Sequence, residues 1–192
     1  MAEYYLDIET NASEPPNPRD GILTIQFQRL RSETGEAEGP LTILKCWESS
    51  EKGVLEEFYS IFCPSQKWSF VPVGCNLTFD LFALCSRWKA IGVDISLKTL
   101  LYDHPYVDIQ PILVMMNKGA FKGAGLPQFT GKEHSGLNVR TWYGQKDYEA
   151  IEAYIRDEAD RFMYLYKSLK RKFLEIRDWW FNQEFPNLQG SC

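Results

Sequence analysis

The sequence predicts an α/β fold, a mixed sheet with helices on its faces. Three observations carry that reading. Alternating apolar segments separated by turn residues fill the first 47 positions. Two helical segments then enclose a short apolar strand that ends at a glycine, between residues 51 and 92. Finally, a pattern of helical period runs from 147 to 181. Strands first, then strands interleaved with helices, suit layers of helix packed on a sheet.

Residues 4–9, "YYLDIE", read as the first strand. The next stretch, "NASEPPNPRDG" (11–21), holds three prolines and reads as a loop. "ILTIQFQRLR" (22–31) alternates Ile22, Thr24 and Gln26 with Leu23, Ile25 and Phe27, the pattern of a half-buried strand. "SETGEAEGP" is a turn, and "LTILKCW" (41–47) completes an antiparallel meander. Ser49 or Ser50 can cap the helix "EKGVLEEFYSIF", which sets Val54, Leu55, Phe58 and Phe62 on one side. "FVPVGCN" (70–76) is a short strand, and "LTFDLFALCSRWKAIG" (77–92) a helix stopped by Gly92. Residues 107–117 contain a strand or a short helix, and the glycine-rich 118–146 resists assignment. From 147 to 181, Ile151, Tyr154, Ile155, Glu158, Phe162, Leu165, Leu169, Phe173, Ile176 and Trp180 recur every three or four residues. They mark the inward stripe of one long helix, or of two nearly in line. Trp179, Trp180 and Phe181 are expected in the core, with a partner contact as the alternative. No repeat or linker divides the chain, so residues 1–192 are read as one domain with a frayed tail at 183–192.

Composition narrows the chemistry. At 44% hydrophobic and 24% charged residues, the chain is an ordinary globular sequence. No apolar run approaches the roughly 18 residues of a membrane span, and the start lacks a basic leader, so a cytoplasmic protein is expected. The five cysteines (46, 63, 75, 85, 192) include no CxxC pair, and their odd number argues against a disulfide framework or a zinc site. The two histidines, His104 and His134, cannot build a histidine-rich metal site. Any metal must then be a hard cation held by carboxylates. The net charge of −5 counts weakly against nucleic acid. However, residues 118–146 hold five basic residues (Lys118, Lys122, Lys132, Arg140, Lys146) against one acid, Glu133.

Three acidic motifs stand out. Asp7 and Glu9 end the first strand two residues apart, on one face. Asp80 falls in the first turn of the helix after Gly74, where strand ends and a helix start meet at one edge of such a sheet, so it can face them. Tyr154 and Glu158 share a helix face at i and i+4, on the inward stripe. A charge on that stripe is rarely left unpaired. Asp157 and Asp160 fall off the stripe and read as surface. Three or four carboxylates converging at a sheet end need cations, and Mg²⁺ or Mn²⁺ suit oxygen ligands. Two such ions about 4 Å apart can clamp the attacking and leaving oxygens of a phosphodiester.

"DIET" (7–10), "NLTFD" (76–80) and Tyr154-x3-Glu158 resemble, in order, the three motifs of the DEDD 3′–5′ exonuclease superfamily. The likeness is to its tyrosine subclass, and most of all to the proofreading exonuclease domain of family B DNA polymerases and stand-alone archaeal relatives. It covers roughly residues 4–170 and implies a ribonuclease H-like fold, with three antiparallel strands followed by parallel ones. It also implies a metal-dependent exonuclease that shortens single-stranded DNA or RNA from the 3′ end to nucleoside 5′-monophosphates. In that scheme Asp7 bridges two ions and Glu9 and Glu158 complete one site. Asp80 supports the second ion, and Tyr154 orients the attacking water. Thr10 would meet the terminal nucleotide through its backbone, with Asn76, Phe79, Lys118 and Lys122 as further substrate contacts. Apart from the resemblance, the basic stretch from Lys118 to Lys146 could track the phosphate backbone, with Phe121, Phe129, Trp142 or Tyr143 either offering stacking faces or packed under a loop. One departure is that the last carboxylate is glutamate where the family usually has aspartate, with Asp157 as the alternative ligand. A catalytically silent binding module and a structure-specific endonuclease are the rival functions on this fold.

Overall fold

A computed structural model describes residues 1–11, 17–62, 64–131 and 136–184. Cys63, Lys132, Glu133, His134, Cys192 and the expected tail from 185 onward lie outside the described residues; Gln183 and Glu184 still belong to the last helix.

Five strands form one sheet: β1 (Glu3–Thr10), β2 (Ile22–Leu30), β3 (Thr42–Lys45), β4 (Val71–Gly74) and β5 (Val107–Asp108). Their order is β3-β2-β1-β4-β5. The first three pair antiparallel, whereas β4 joins β1, and β5 joins β4, in parallel. The mixed ribonuclease H-like sheet expected from the sequence is therefore present. β1 lies at its centre, and the helices cover both faces.

On one face lie α1 (Glu51–Phe62) and α2 (Leu77–Ala90). The Ser50 hydroxyl accepts the Gly53 amide at 3.0 Å and so caps α1. Val54, Leu55, Phe58 and Phe62 of α1 are buried, as their spacing predicts, against Leu6, Ile8, Ile25 and Phe27 of the sheet. Trp88 of α2 is fully buried among them and donates its indole N–H to the Leu55 carbonyl at 2.9 Å. Each such aromatic contributes about 1.5–3 kcal/mol by leaving water. Residues 107–117 hold both elements the sequence allowed: β5 and then α3 (Gln110–Met116). The unassigned glycine-rich segment contains two short helices, α4 (Leu126–Thr130) and α5 (Leu137–Gln145).

The other face belongs to α6 (Tyr148–Glu184), one continuous helix of 37 residues. The apolar part of its stripe is buried in two clusters: Ile151, Tyr154 and Ile155 with Leu23 and Val139, and Phe162, Leu165 and Leu169 with Tyr5, Leu30 and Val73. Two expectations change here. β2 is not half-buried: Ile22 to Phe27 are all buried, because α6 closes the face that carries Thr24 and Gln26. The inward stripe of α6 also stops early. Phe173, Ile176, Trp179, Trp180 and Phe181 are exposed, because the helix runs on past the end of the sheet. Among the described residues no helix is long and apolar enough to cross a membrane.

Candidate active site

The alternation of β1 places Glu3, Tyr5, Asp7 and Glu9 on the α6 face, and Tyr4, Leu6 and Ile8 on the other. α6 runs antiparallel to β1 beneath these side chains. At one end, buried Glu3 accepts the Tyr166 hydroxyl and the Lys170 ammonium, both at 2.9 Å. Tyr5 packs on Phe162, with ring centroids 4.8 Å apart. At the other end, Glu158 meets Asp7 and Glu9, and carboxylate oxygens of the three lie within 4.8 Å of one another. Asp157 points away and pairs with Arg161 at 2.8 Å, while Asp160 is exposed. Of the three acids in this part of α6, Glu158 is the one that joins the cluster.

Asp80 arrives from α2. Gly74 ends β4 so close to β1 that a Cβ there would lie 2.7 Å from the Leu6 carbonyl oxygen. Only glycine lets β4 deliver the next turn to the end of β1. That turn passes through Asn76 in the left-handed region (φ 63°), whose backbone N–H donates to Asp108 Oδ1 at 2.9 Å. Asp80 is buried in the first turn of α2. It stands beside the group of three rather than within it. Burial, and then the charge of Asp7, push its carboxyl well above the usual range.

Tyr154 is buried next to the cluster and donates its hydroxyl to Glu158. Burial raises its pKa strongly, and the charges of Glu9, Glu158 and Asp7 add to that. Trp142 of α5 packs at 5.9 Å from its ring. A Cβ on Gly136, just before α5, would sit 3.5 Å from the Tyr154 hydroxyl and 3.6 Å from Glu9 Oε2. An open cleft of about 200 Å³ leads to the cluster, lined by Asp7, Glu158, Cys75, Asn76, Gln110 and Leu126 among others. The Cys75 thiol is pushed up to about 12, by burial first and then by Asp108, Asp7 and Asp80.

The other expected substrate residues are spread out. Thr10 is buried at the end of β1 and Phe79 is half-buried in the first turn of α2; of the expected substrate contacts only Asn76 lines the cleft. Lys118 and Lys122 are exposed on the loop after α3, which Asn117 Nδ2 ties by donating to the Ala120 and Lys122 carbonyls. Phe121 is 71% exposed between them. Phe129 packs toward α6, and Tyr143 packs beside Trp47 and Tyr148, and both are half-buried.

Two residues near Asp7 escaped the sequence reading. Tyr5 directs its hydroxyl to Asp7 Oδ2 at 3.4 Å. Gln26, directly across the β1–β2 pairing, donates Nε2 to the same oxygen at 2.8 Å. The signal available for Gln26 was a polar residue set between two large apolar ones, Ile25 and Phe27.

Solved structures share this architecture. The family B DNA polymerase from the hyperthermophilic archaeon Pyrobaculum calidifontis matches at 17% identity over 88% of this chain and 24% of its own, with a TM-score of 0.62. E. coli exonuclease I in complex with a dT13 oligonucleotide matches at 14% identity over 94% of this chain and 43% of its own, with a TM-score of 0.57. The chain has the fold that these two structures share with it. The zinc-bound E. coli ExoI–ssDNA complex agrees, at 14% identity over 95% of this chain and 43% of its own, with a TM-score of 0.58. This chain spans less than half the length of each of these chains. At such identities the likeness establishes the fold. No family model matches the sequence, and no curated protein matches it.

The donor set suits a divalent cation. Three carboxylates share one small space, and a fourth, Asp80, is buried near enough to feel the charge of Asp7. All the donors are hard oxygens, which favour Mg²⁺ or Mn²⁺ over thiolate-seeking metals.

Proposed function

We propose that this chain is a metal-dependent 3′–5′ exonuclease acting on single-stranded DNA or RNA. The observation that carries the reading is the convergence of Asp7, Glu9 and Glu158 within 4.8 Å, with buried Asp80 alongside. The order of the three motifs and the fold shared with exonuclease I support it. Asp7, Glu9 and Glu158, with Asp80, would hold two Mg²⁺ or Mn²⁺ ions. When bound, those ions neutralise phosphate charge and lower the pKa of water.

The chain's own groups do the rest. Tyr154 keeps its proton at neutral pH, because burial and neighbouring carboxylates oppose its ionisation. It therefore acts as a hydrogen-bonding group that orients water for in-line attack on the terminal phosphodiester, not as a base. Glu158 accepts the Tyr154 hydroxyl and so fixes where that hydroxyl points. The cleft beside Asn76 and Leu126 would receive the 3′-terminal nucleotide, with the Thr10 backbone behind it. Lys118 and Lys122, with Phe121 exposed between them, would guide the upstream strand through charge and stacking. Cleavage gives a nucleoside 5′-monophosphate and a strand one residue shorter.

Digestion of 5′-labelled DNA and RNA oligonucleotides in Mg²⁺, Mn²⁺ or chelator tests this. The expected result is a ladder that shortens from the 3′ end and disappears with chelator. Cutting of a strand blocked at its 3′ end, or no cutting in either metal, would contradict it.

A further inference from the structure

We infer that Gln26 is a positioning residue for the cation-binding carboxylates, and that Thr24 acts through it. The inference rests on the metal-dependent reading above. Gln26 is 1% exposed and Thr24 is fully buried, although both are polar. Each sits across the antiparallel pairing from one of the β1 acids: Gln26 opposite Asp7, and Thr24 opposite Glu9. Just after that pair the register shifts, so that Thr10 pairs with Ile22 and Leu23 is the extra residue. Leu23 packs with Val139, Ile151, Tyr154 and Ile155, which seals the polar pair from below.

The hydrogen bonds run in one direction. The Thr24 hydroxyl donates to Gln26 Oε1 at 2.9 Å, and Gln26 Nε2 donates to Asp7 Oδ2 at 2.8 Å. An amide can rotate by half a turn and exchange its oxygen for its nitrogen. The Thr24 donor selects one of those orientations and turns the N–H toward Asp7. A donor held at one carboxylate oxygen fixes the rotation of the whole group, and so the direction in which Asp7 meets Glu9 and Glu158. Ligands in metal sites depend on such outer partners, whose loss typically weakens binding about 10–100-fold. Apolar side chains of the same shape in place of both partners could fill this space at nearly equal stability, so packing alone does not require a buried amide and hydroxyl here.

Mn²⁺ binding by titration calorimetry on the catalytically idle protein, without nucleic acid, tests the assignment. Gln26→Met keeps the length of the side chain and removes the donor. It should weaken Mn²⁺ binding about 10-fold or more, with an unchanged circular dichroism spectrum. Thr24→Val should weaken binding by a smaller factor, and Thr24→Ser, which keeps the hydroxyl, should restore it. The double variant Gln26→Met/Thr24→Val should bind as Gln26→Met alone does, because Thr24 acts only through the amide. A folded Gln26→Met that binds Mn²⁺ as tightly as the wild type overturns the role of Gln26 and leaves the metal reading standing. Additive losses in the double variant overturn the relay. Wild type that binds no Mn²⁺ overturns the metal reading and this inference together. If Gln26→Met does not fold, the comparison of Thr24→Val with Thr24→Ser decides.

Discussion

Glu158→Gln is the perturbation that speaks most directly to the carboxylate cluster. Three carboxylates with oxygens within 4.8 Å repel one another in the metal-free protein. At that distance, and at an effective dielectric of 20, each fully ionised pair costs about 3.5 kcal/mol. Neutralising Glu158 removes two of the three pairs, about 7 kcal/mol at full charge, which nearby water and side-chain relaxation reduce. A net gain of about 1–2 kcal/mol is a reasonable residue, and for a chain of this size it raises Tm by roughly 2–8 °C. Glutamine still offers an oxygen to the Tyr154 hydroxyl, so that bond is kept. In chelator, Glu158→Gln should therefore melt higher than the wild type. In excess Mn²⁺ the order should narrow or reverse, because a cation at 100 times its Kd stabilises only the wild type, by about 2.7 kcal/mol. Differential scanning calorimetry in both conditions reads the two numbers. Equal melting in chelator together with an equal Mn²⁺ response would refute both the repulsion and the assignment of Glu158.

The remaining predictions concern different parts of the chain. Tyr154→Phe should lower the hydrolysis rate about 10²-fold and leave Mn²⁺ binding intact; single-turnover kinetics beside calorimetry checks both, and a wild-type rate removes the hydroxyl from the reaction. Exchanging Lys118 and Lys122 for alanine should weaken oligonucleotide binding and flatten its salt dependence by up to about 0.7 for each phosphate that is no longer neutralised, measured by anisotropy across salt concentrations. His104 is buried and stacked on Phe62, and burial holds its imidazole below the ordinary 6.5. The unfolded chain then binds the proton more readily, so stability should fall as pH drops from about 6.5 toward the lower folded-state value. His104→Phe should remove that slope, and an unchanged slope in urea melts at pH 5–7 would exclude His104 as its source.

How much of this was legible in the sequence follows from the range of each signal. Asp7 and Glu9 were legible because strand alternation is local, and Tyr154 with Glu158 because helical spacing is local. Asp80 was placed by the turn after Gly74, another neighbour effect. Thr24 and Gln26 were read as one face of a half-buried strand because α6, which buries them, comes more than a hundred residues later. Periodicity alone could not foresee that helix closing over β2. The same limit explains the end of α6. After Glu158 the apolar stripe continues through Trp180, but the spacing of side chains along a helix says nothing about where the sheet beneath it stops. α4 and α5 escaped because five and nine residues, set among glycines and proline, give too few turns to show a period.

The overrun of α6 affects how the protein will behave in solution. Phe173, Ile176, Trp179 and Trp180 meet water at the end of the rod remote from Glu158. At a rise of 1.5 Å per residue, Trp180 stands about 33 Å from that carboxylate. Crowded samples should therefore stick together through their aromatic tips, while the acidic ends stay clear of the junction. Such clusters would scatter light yet keep their full complement of open clefts.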